Sequence, residues 1–162
     1  MTLLEKVTLN DLIATTWDSI DDYLNAADNV ESDSLVALFD KRVVERQSAI
    51  EALCSEVIRL GGKPQESGSL SASAHRMLFN LRSVLTGRNE KTVIEEVARR
   101  ESYIRSKFEN AIADTDLSSE VRRAIRDCYA SINNHHNNSI TKHYNNSKSS
   151  KHFIESDQSP PV

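Results

Sequence analysis

Only four glycines and three prolines punctuate the 162 residues. Sheet proteins draw on these residues at their turns, so the scarcity argues for long helices. Basic residues are not in excess either: 20 Lys and Arg stand against 24 Asp and Glu, a net charge of −4. A nucleic-acid partner calls for a basic surface, so none is expected. The short "VRRAIR" run, with Arg122, Arg123 and Arg126, reads as helix-surface ion pairs. No segment approaches the roughly 18 consecutive apolar residues of a membrane span, so no membrane partner is expected. "MTLLEKVTLNDL" lacks the basic start and apolar run of a signal peptide. The two cysteines, Cys54 and Cys128, are isolated on apolar helical stripes and read as buried, reduced thiols. Together these absences predict a cytoplasmic protein. No catalytic triad, phosphate loop, paired-cysteine zinc motif or dinucleotide fingerprint occurs. The expectation is therefore a non-enzymatic protein without a cofactor.

What is present is helical periodicity. A first helix is predicted over Leu9–Ala27, with Leu9, Leu12, Ile13, Ile20, Tyr23, Leu24 and Ala27 on one face and "TLND" as its N-cap. A second is predicted over Ser34–Leu60, ended by a left-handed cap at Gly61-Gly62. A short third, Ser71–Leu85, aligns Ala74, Leu78, Leu81 and Leu85. A fourth runs from Lys91 to Ala113 and a fifth from Ser118 to about residue 139. The resulting expectation is all-α: a four-helix bundle whose long crossover carries the short extra helix. Short loops make the first two helices antiparallel, and likewise the last two. The crossover is long enough to run the length of the bundle, letting the second and fourth helices point the same way. Residues 1–140 form the bundle in this reading. Residues 141–162 are an Asn-, Ser-, His- and Lys-rich polar tail, expected to be flexible.

Two positions break the apolar stripes. The second helix reads Phe39, Val43, Arg46, Ile50, Leu53, Val57, Leu60; the fourth reads Ile94, Val97, Glu101, Ile104, Phe108, Ala111. Each carries one charge near its middle, with opposite signs. Burying either alone is very costly, and a bidentate Arg–carboxylate pair offsets much of the cost. Arg46 and Glu101 are therefore expected to pair in the core, fixing which helices meet and in what register. Thr16 on the first helix and Cys128 or Ile132, then His135 or His136, on the fifth fall at the same level. Trp17, Asp18 and Tyr23 in "TTWDSIDDY" are candidates for hydrogen bonds around the pair.

"LNDLIATTWDSIDDYLNAA", "IRLGGKPQESGSLSASAHRMLFNLRSVLTG" and "ARRESYIRSKFENAI" resemble a bacterial family of four-helix bundles of unknown function within the ferritin-like group. The resemblance covers about Leu9 to Ile140, and its "LGG-P…GS…HR" passage is the most specific part. It implies a ferritin-like fold and no established activity. Ferritin-like di-iron sites take a Glu from each of two helices and a Glu-x-x-His from each of the other two. Carried over by position, the first Glu falls at Thr16 when Tyr23 is taken as the inward tyrosine. The second helix's pair falls at Arg46 and Ala49. The fourth helix keeps Glu101, and the fifth offers Asn133 with His136. One carboxylate and one imidazole cannot hold two irons, so the resemblance implies a vestigial site in which Arg46 replaces the metal.

The leading expectation is a bundle acting through self-association or a protein partner, with an apolar face left over for it. A second is a divergent metal or oxidase site built on Glu101 and His136, with Glu45, Glu51 or Asp22. A third is a pocket beside Arg46 for a carboxylate or phosphate.

Overall fold

A computed structural model describes residues 3–68 and 89–133, together with position 142. The described residues form four α-helices: α1 (Leu3–Ala27), α2 (Asp33–Arg59), α3 (Glu90–Ala113) and α4 (Ser119–Asn133). No strand occurs among them. At about 1.5 Å per residue the first three are each roughly 36–40 Å long and α4 about 22 Å. The predicted crossover helix at 71–85 and the tail at 141–162 lie outside the described residues, position 142 excepted.

Two tertiary caps set the topology. Glu90 Oε1, at the start of α3, accepts from the backbone N–H of Glu31 (3.1 Å) and Ser32 (3.0 Å) in the α1–α2 turn. At the other end of the molecule, Glu5 Oε1 accepts from the N–H of Ser118 at 3.1 Å, just ahead of α4. Thus α3 begins where α2 begins and runs parallel to it, and α4 runs parallel to α1. The helices that pack as neighbours are α1–α2, α1–α3, α2–α4 and α3–α4. Every neighbouring pair is antiparallel and the parallel pairs lie across the diagonals, so adjacent helix dipoles oppose one another. This is a four-helix bundle with one long crossover, as the spacing predicts.

The end of α2 is built as expected. Gly61 takes φ +66°, and Gly61 N–H and Gly62 N–H donate to the carbonyls of Ile58 (2.8 Å) and Val57 (2.9 Å). That pair of bonds is the Schellman cap, with glycine at the left-handed position. Beyond it the chain climbs the outer surface of α1. A Cβ on Gly62 would lie 3.2 Å from the Lys6 side chain, and one on Gly68 would lie 2.2 Å from Asp18 Oδ1. Twelve residues of α1 rise about 18 Å, close to the span of six extended residues. Asn10 pins this strap in the middle, donating to Lys63 O (3.1 Å) and accepting from Gln65 N–H (2.7 Å).

Four expectations need correction. Helix α1 starts at Leu3 and not at Leu9, so "TLND" lies inside it and is no cap. The extra turns carry Glu5, whose long-range contact with Ser118 no local pattern encodes. Leu24 is exposed, because Ala26 and Tyr23 supply the inward positions of the last turns. Cys128 is buried but Cys54 is only half-buried, one position beyond the core residue Leu53. Arg122, Arg123 and Arg126 form no ion pair among the described residues, although Glu120 and Asp127 stand at i−3 and i+4 from Arg123. No described helix is long and apolar enough to cross a membrane.

Candidate functional site

The apolar core is two clusters. The larger one joins all four helices through residues such as Leu12, Leu53, Phe108 and Ile125. The smaller, nearer the α1–α2 turn, joins Tyr23, Ala26, Leu35, Phe39, Val93, Ile94 and Val97 from α1, α2 and α3. Between them lies a layer of polar side chains: Thr16 and Ser19 from α1, Arg42 and Arg46 from α2, and Glu101 from α3, all buried.

Arg46 is the centre of this layer and has 0% exposure. Its Nη2 donates to Glu101 Oε1 at 2.6 Å, across the diagonal from α2 to α3. These two parallel helices are not packed neighbours, and the long Arg46 and Glu101 side chains together span the gap. Its Nε donates to Ser19 Oγ at 3.1 Å on α1. The guanidinium carbon stands 5.9 Å from the centre of the Tyr23 ring, within cation–π range. Tyr23 in turn packs on Phe39, ring centres 5.7 Å apart. One arginine thus ties three helices together at one level.

The expected pair is present, but its geometry differs from a bidentate fork. One guanidinium nitrogen reaches the carboxylate, Nε is spent on Ser19, and Nη1 has no partner among the described residues. The Tyr23 hydroxyl is buried as well, with the Glu101 carboxylate as the acceptor within its reach. Its pKa is raised well above the usual tyrosine value, first by burial and then by the negative charge of Glu101. Thr16 turns its hydroxyl onto its own helix, donating to Leu12 O at 2.7 Å, and contributes no group to the layer's network. Among the "TTWDSIDDY" candidates, Tyr23 stands beside the pair. Trp17 Nε1 has no partner among the described residues, and Asp18 faces the strap at Gly68 on the outer surface.

Two participants escape a reading of apolar stripes. Ser19 lies one turn beyond Thr16, and its signal was available: Thr15, Thr16 and Ser19 are small polar residues at buried positions of one helix. Arg42 is the second fully buried arginine, one turn from Arg46. Its Nη1 donates to Glu45 Oε2 at 2.8 Å, so this charge too is neutralised near its own level. Reading the stripe through Val43 hides it, since Val43 is only partly buried.

The candidate metal ligands are dispersed. Glu101 is engaged by Arg46, Glu45 by Arg42, and Glu51 is exposed on the outside of α2. Asp22 faces α3, its Oδ2 3.9 Å from Arg100 Nε. Its pKa is raised to about 6, chiefly by burial, against the pull of Arg100; Asp18, Glu96 and Asp21 add to the rise. His135 and His136 lie outside the described residues. Among the described residues, no three His, Cys, Asp or Glu side chains gather as a metal site would need. Cys128 points at the Ala49 carbonyl, 3.9 Å away, and burial pushes its thiol up to about 11. It is an inert core thiol and no nucleophile.

The family model for the domain of unknown function DUF2383 matches residues 6–114, more than half of the chain, and the chain belongs to that family. The match takes in α1, α2 and α3, and with them every member of the polar layer. No curated protein matches the chain.

Proposed function

We propose that this DUF2383 protein is a non-enzymatic, ferritin-like bundle that acts by association, as a homodimer or with a protein partner, and that its core position for metal is closed by an ion pair. A bundle with a single long crossover is the ferritin-like arrangement. The observation that carries the reading is the Arg46 guanidinium on Glu101 at 2.6 Å. A di-iron centre needs several inward carboxylates and two imidazoles around a shared cavity. Here the inward carboxylate is held by a permanent cation, and a second arginine is buried one turn away. A metal ion would have to displace Arg46 and then sit beside its charge.

Association has its own support. At the start of α1, Leu3, Leu4 and Val7 are 78%, 41% and 56% exposed on one side of the helix. Three neighbouring large apolar side chains left in water mark a surface suited to a partner.

The test is one preparation of tag-free, full-length protein measured two ways. Fe(II) titration with oxygen uptake is expected to give no stoichiometric binding, and sedimentation equilibrium a dimer that Val7→Glu weakens. Stoichiometric iron with oxygen consumption would overturn the closed-site reading in favour of a site using Glu101 and His136. A monomer at all concentrations that retains no protein from its source would overturn association.

A further inference from the structure

Helix α2 carries a second periodicity on the side away from the core. Lys41, Val44, Ser48, Glu51, Ser55 and Ile58 follow one another in alternate steps of three and four residues. All six are exposed, the β-branched Val44 and Ile58 at 61% and 62%. Steps of three and four are the spacing of a seam along which one helix lies against another. The order of the residues decides what such a seam fits. Laid antiparallel on a second copy, about a twofold axis at the level of Arg46, Lys41 faces Glu51 of the second copy and Val44 faces its Ser48. The same register sets Ala37 against Ser55, Ser34 against Ile58 and Asp33 against Arg59, all exposed, without further adjustment. Opposite charges meet in two kinds of contact, and the large apolar side chains meet small ones. A parallel arrangement would stack Lys41 on Lys41 and Glu51 on Glu51, so the charges select the antiparallel one.

We propose that the outer seam of α2 pairs antiparallel with the same seam of a second copy, closing a twofold dimer in which Lys41 of each chain meets Glu51 of the other. The same patch serves on both sides, so the contact closes on itself and does not grow into a chain of molecules. This inference rests on the association reading, to which it gives a partner and a register. It uses a different face from Leu3, Leu4 and Val7, which lie on α1. The strip from Ser34 to Ile58 is roughly 36 Å long and one helix wide. That is less than the roughly 800 Å² per partner of a standard stable interface, so the dimer is a weak one in exchange with its monomer.

The experiment is sedimentation equilibrium of the full-length protein beside Lys41→Glu, Glu51→Lys and an equimolar mixture of the two variants. Both positions are exposed, so circular dichroism should show the fold unchanged. Each variant alone turns two attractive contacts into two repulsive ones and should weaken its dimer about 5–30-fold. The mixture sets Glu opposite Lys in both contacts, and its mixed dimer should regain the strength of the unmutated one. Variants that dissociate singly and do not recover on mixing overturn the pairing of Lys41 with Glu51. A dimer lost to Val7→Glu but indifferent to both charge variants overturns the seam and leaves association through α1 standing. A dimer lost to the charge variants, regained on mixing and indifferent to Val7→Glu supports the seam and moves the contact to α2. A protein that is monomeric at every concentration overturns the seam and the homodimer together, and leaves association with a different protein as the surviving reading.

Discussion

Replacing Arg46 by methionine is the sharpest perturbation of this core. Methionine keeps the unbranched stem and fills irregular space, so the change is mainly one of charge and hydrogen bonding. It leaves Glu101, only 9% exposed, without the guanidinium that neutralises it, and leaves Ser19 without its donor. Breaking a buried pair by removing one partner costs about 3–5 kcal/mol, because the remaining charge stays in a poor solvent. For a chain of this length each 1 kcal/mol moves the midpoint by roughly 2–4 °C, so the variant should melt about 6–20 °C lower. Glu101→Leu should cost a similar amount by stranding Arg46. The double variant, Arg46→Met with Glu101→Leu, strands no charge. It should lie near the unmutated protein, or up to about 4 kcal/mol above it. Urea unfolding of all four proteins, compared at unchanged m-values, gives the coupling between the sites. Single variants each within about 0.5 kcal/mol of the parent, or losses that simply add in the double variant, would refute the account.

Asp22 gives a pH prediction with a definite sign. Its pKa rises from 3.8 to about 6 on folding, so the folded state holds the proton more tightly than the unfolded chain. Its contribution to stability is fully present below about pH 4 and is lost as pH rises through about 6. Asp22→Asn should therefore raise stability at pH 7 by about 1–3 kcal/mol and leave it little changed at pH 4; equal effects at the two pH values would contradict this. The cysteines should separate by access: iodoacetamide at pH 8 modifies half-buried Cys54 first, and Cys128 only as fast as the protein opens, as peptide mass spectrometry would report. Rapid modification of Cys128 in the native state would count against its placement. Asn10→Ala removes both hydrogen bonds that pin the strap, and should speed amide exchange over 62–68 without changing the rate in α4.

How much of this was legible in the sequence follows from the range of each interaction. Helical periodicity is local, so three of the long helices and the glycine cap of α2 could be read from neighbouring residues. Arg46 and Glu101 stood out because a charge in an apolar stripe contradicts its surroundings, and their opposite signs suggested each other. The bidentate geometry did not follow, because Ser19 competes for Nε from a helix 27 residues away. Arg42 is hidden in the sequence because apolar Val43 offers an easier stripe. The early start of α1 is not legible because Glu5 is held by Ser118, 113 residues along the chain. Such contacts exist only once the bundle has assembled.

The position of the pair bears on why a bundle would keep two charges in its core. Leucine-like side chains at 46 and 101 would fill the layer and, by the magnitudes above, fold at least as well. They would not choose a register. Sliding α3 by one turn would set Val97 or Arg105 near Arg46 in place of Glu101, stranding a cation in an apolar layer or facing it with another. An all-apolar core exacts no comparable penalty, since one aliphatic residue replaces another with small loss. The diagonal makes the constraint stronger, because α2 and α3 are not packed neighbours and their register is otherwise set through α1, α4 and the Glu90 cap on the α1–α2 turn. The double apolar variant should therefore keep its stability and lose uniqueness, which amide NMR reports directly. A single sharp set of resonances from that variant would mean that α1, α4 and the Glu90 cap fix the register unaided, and the pair would then need another reason to be there.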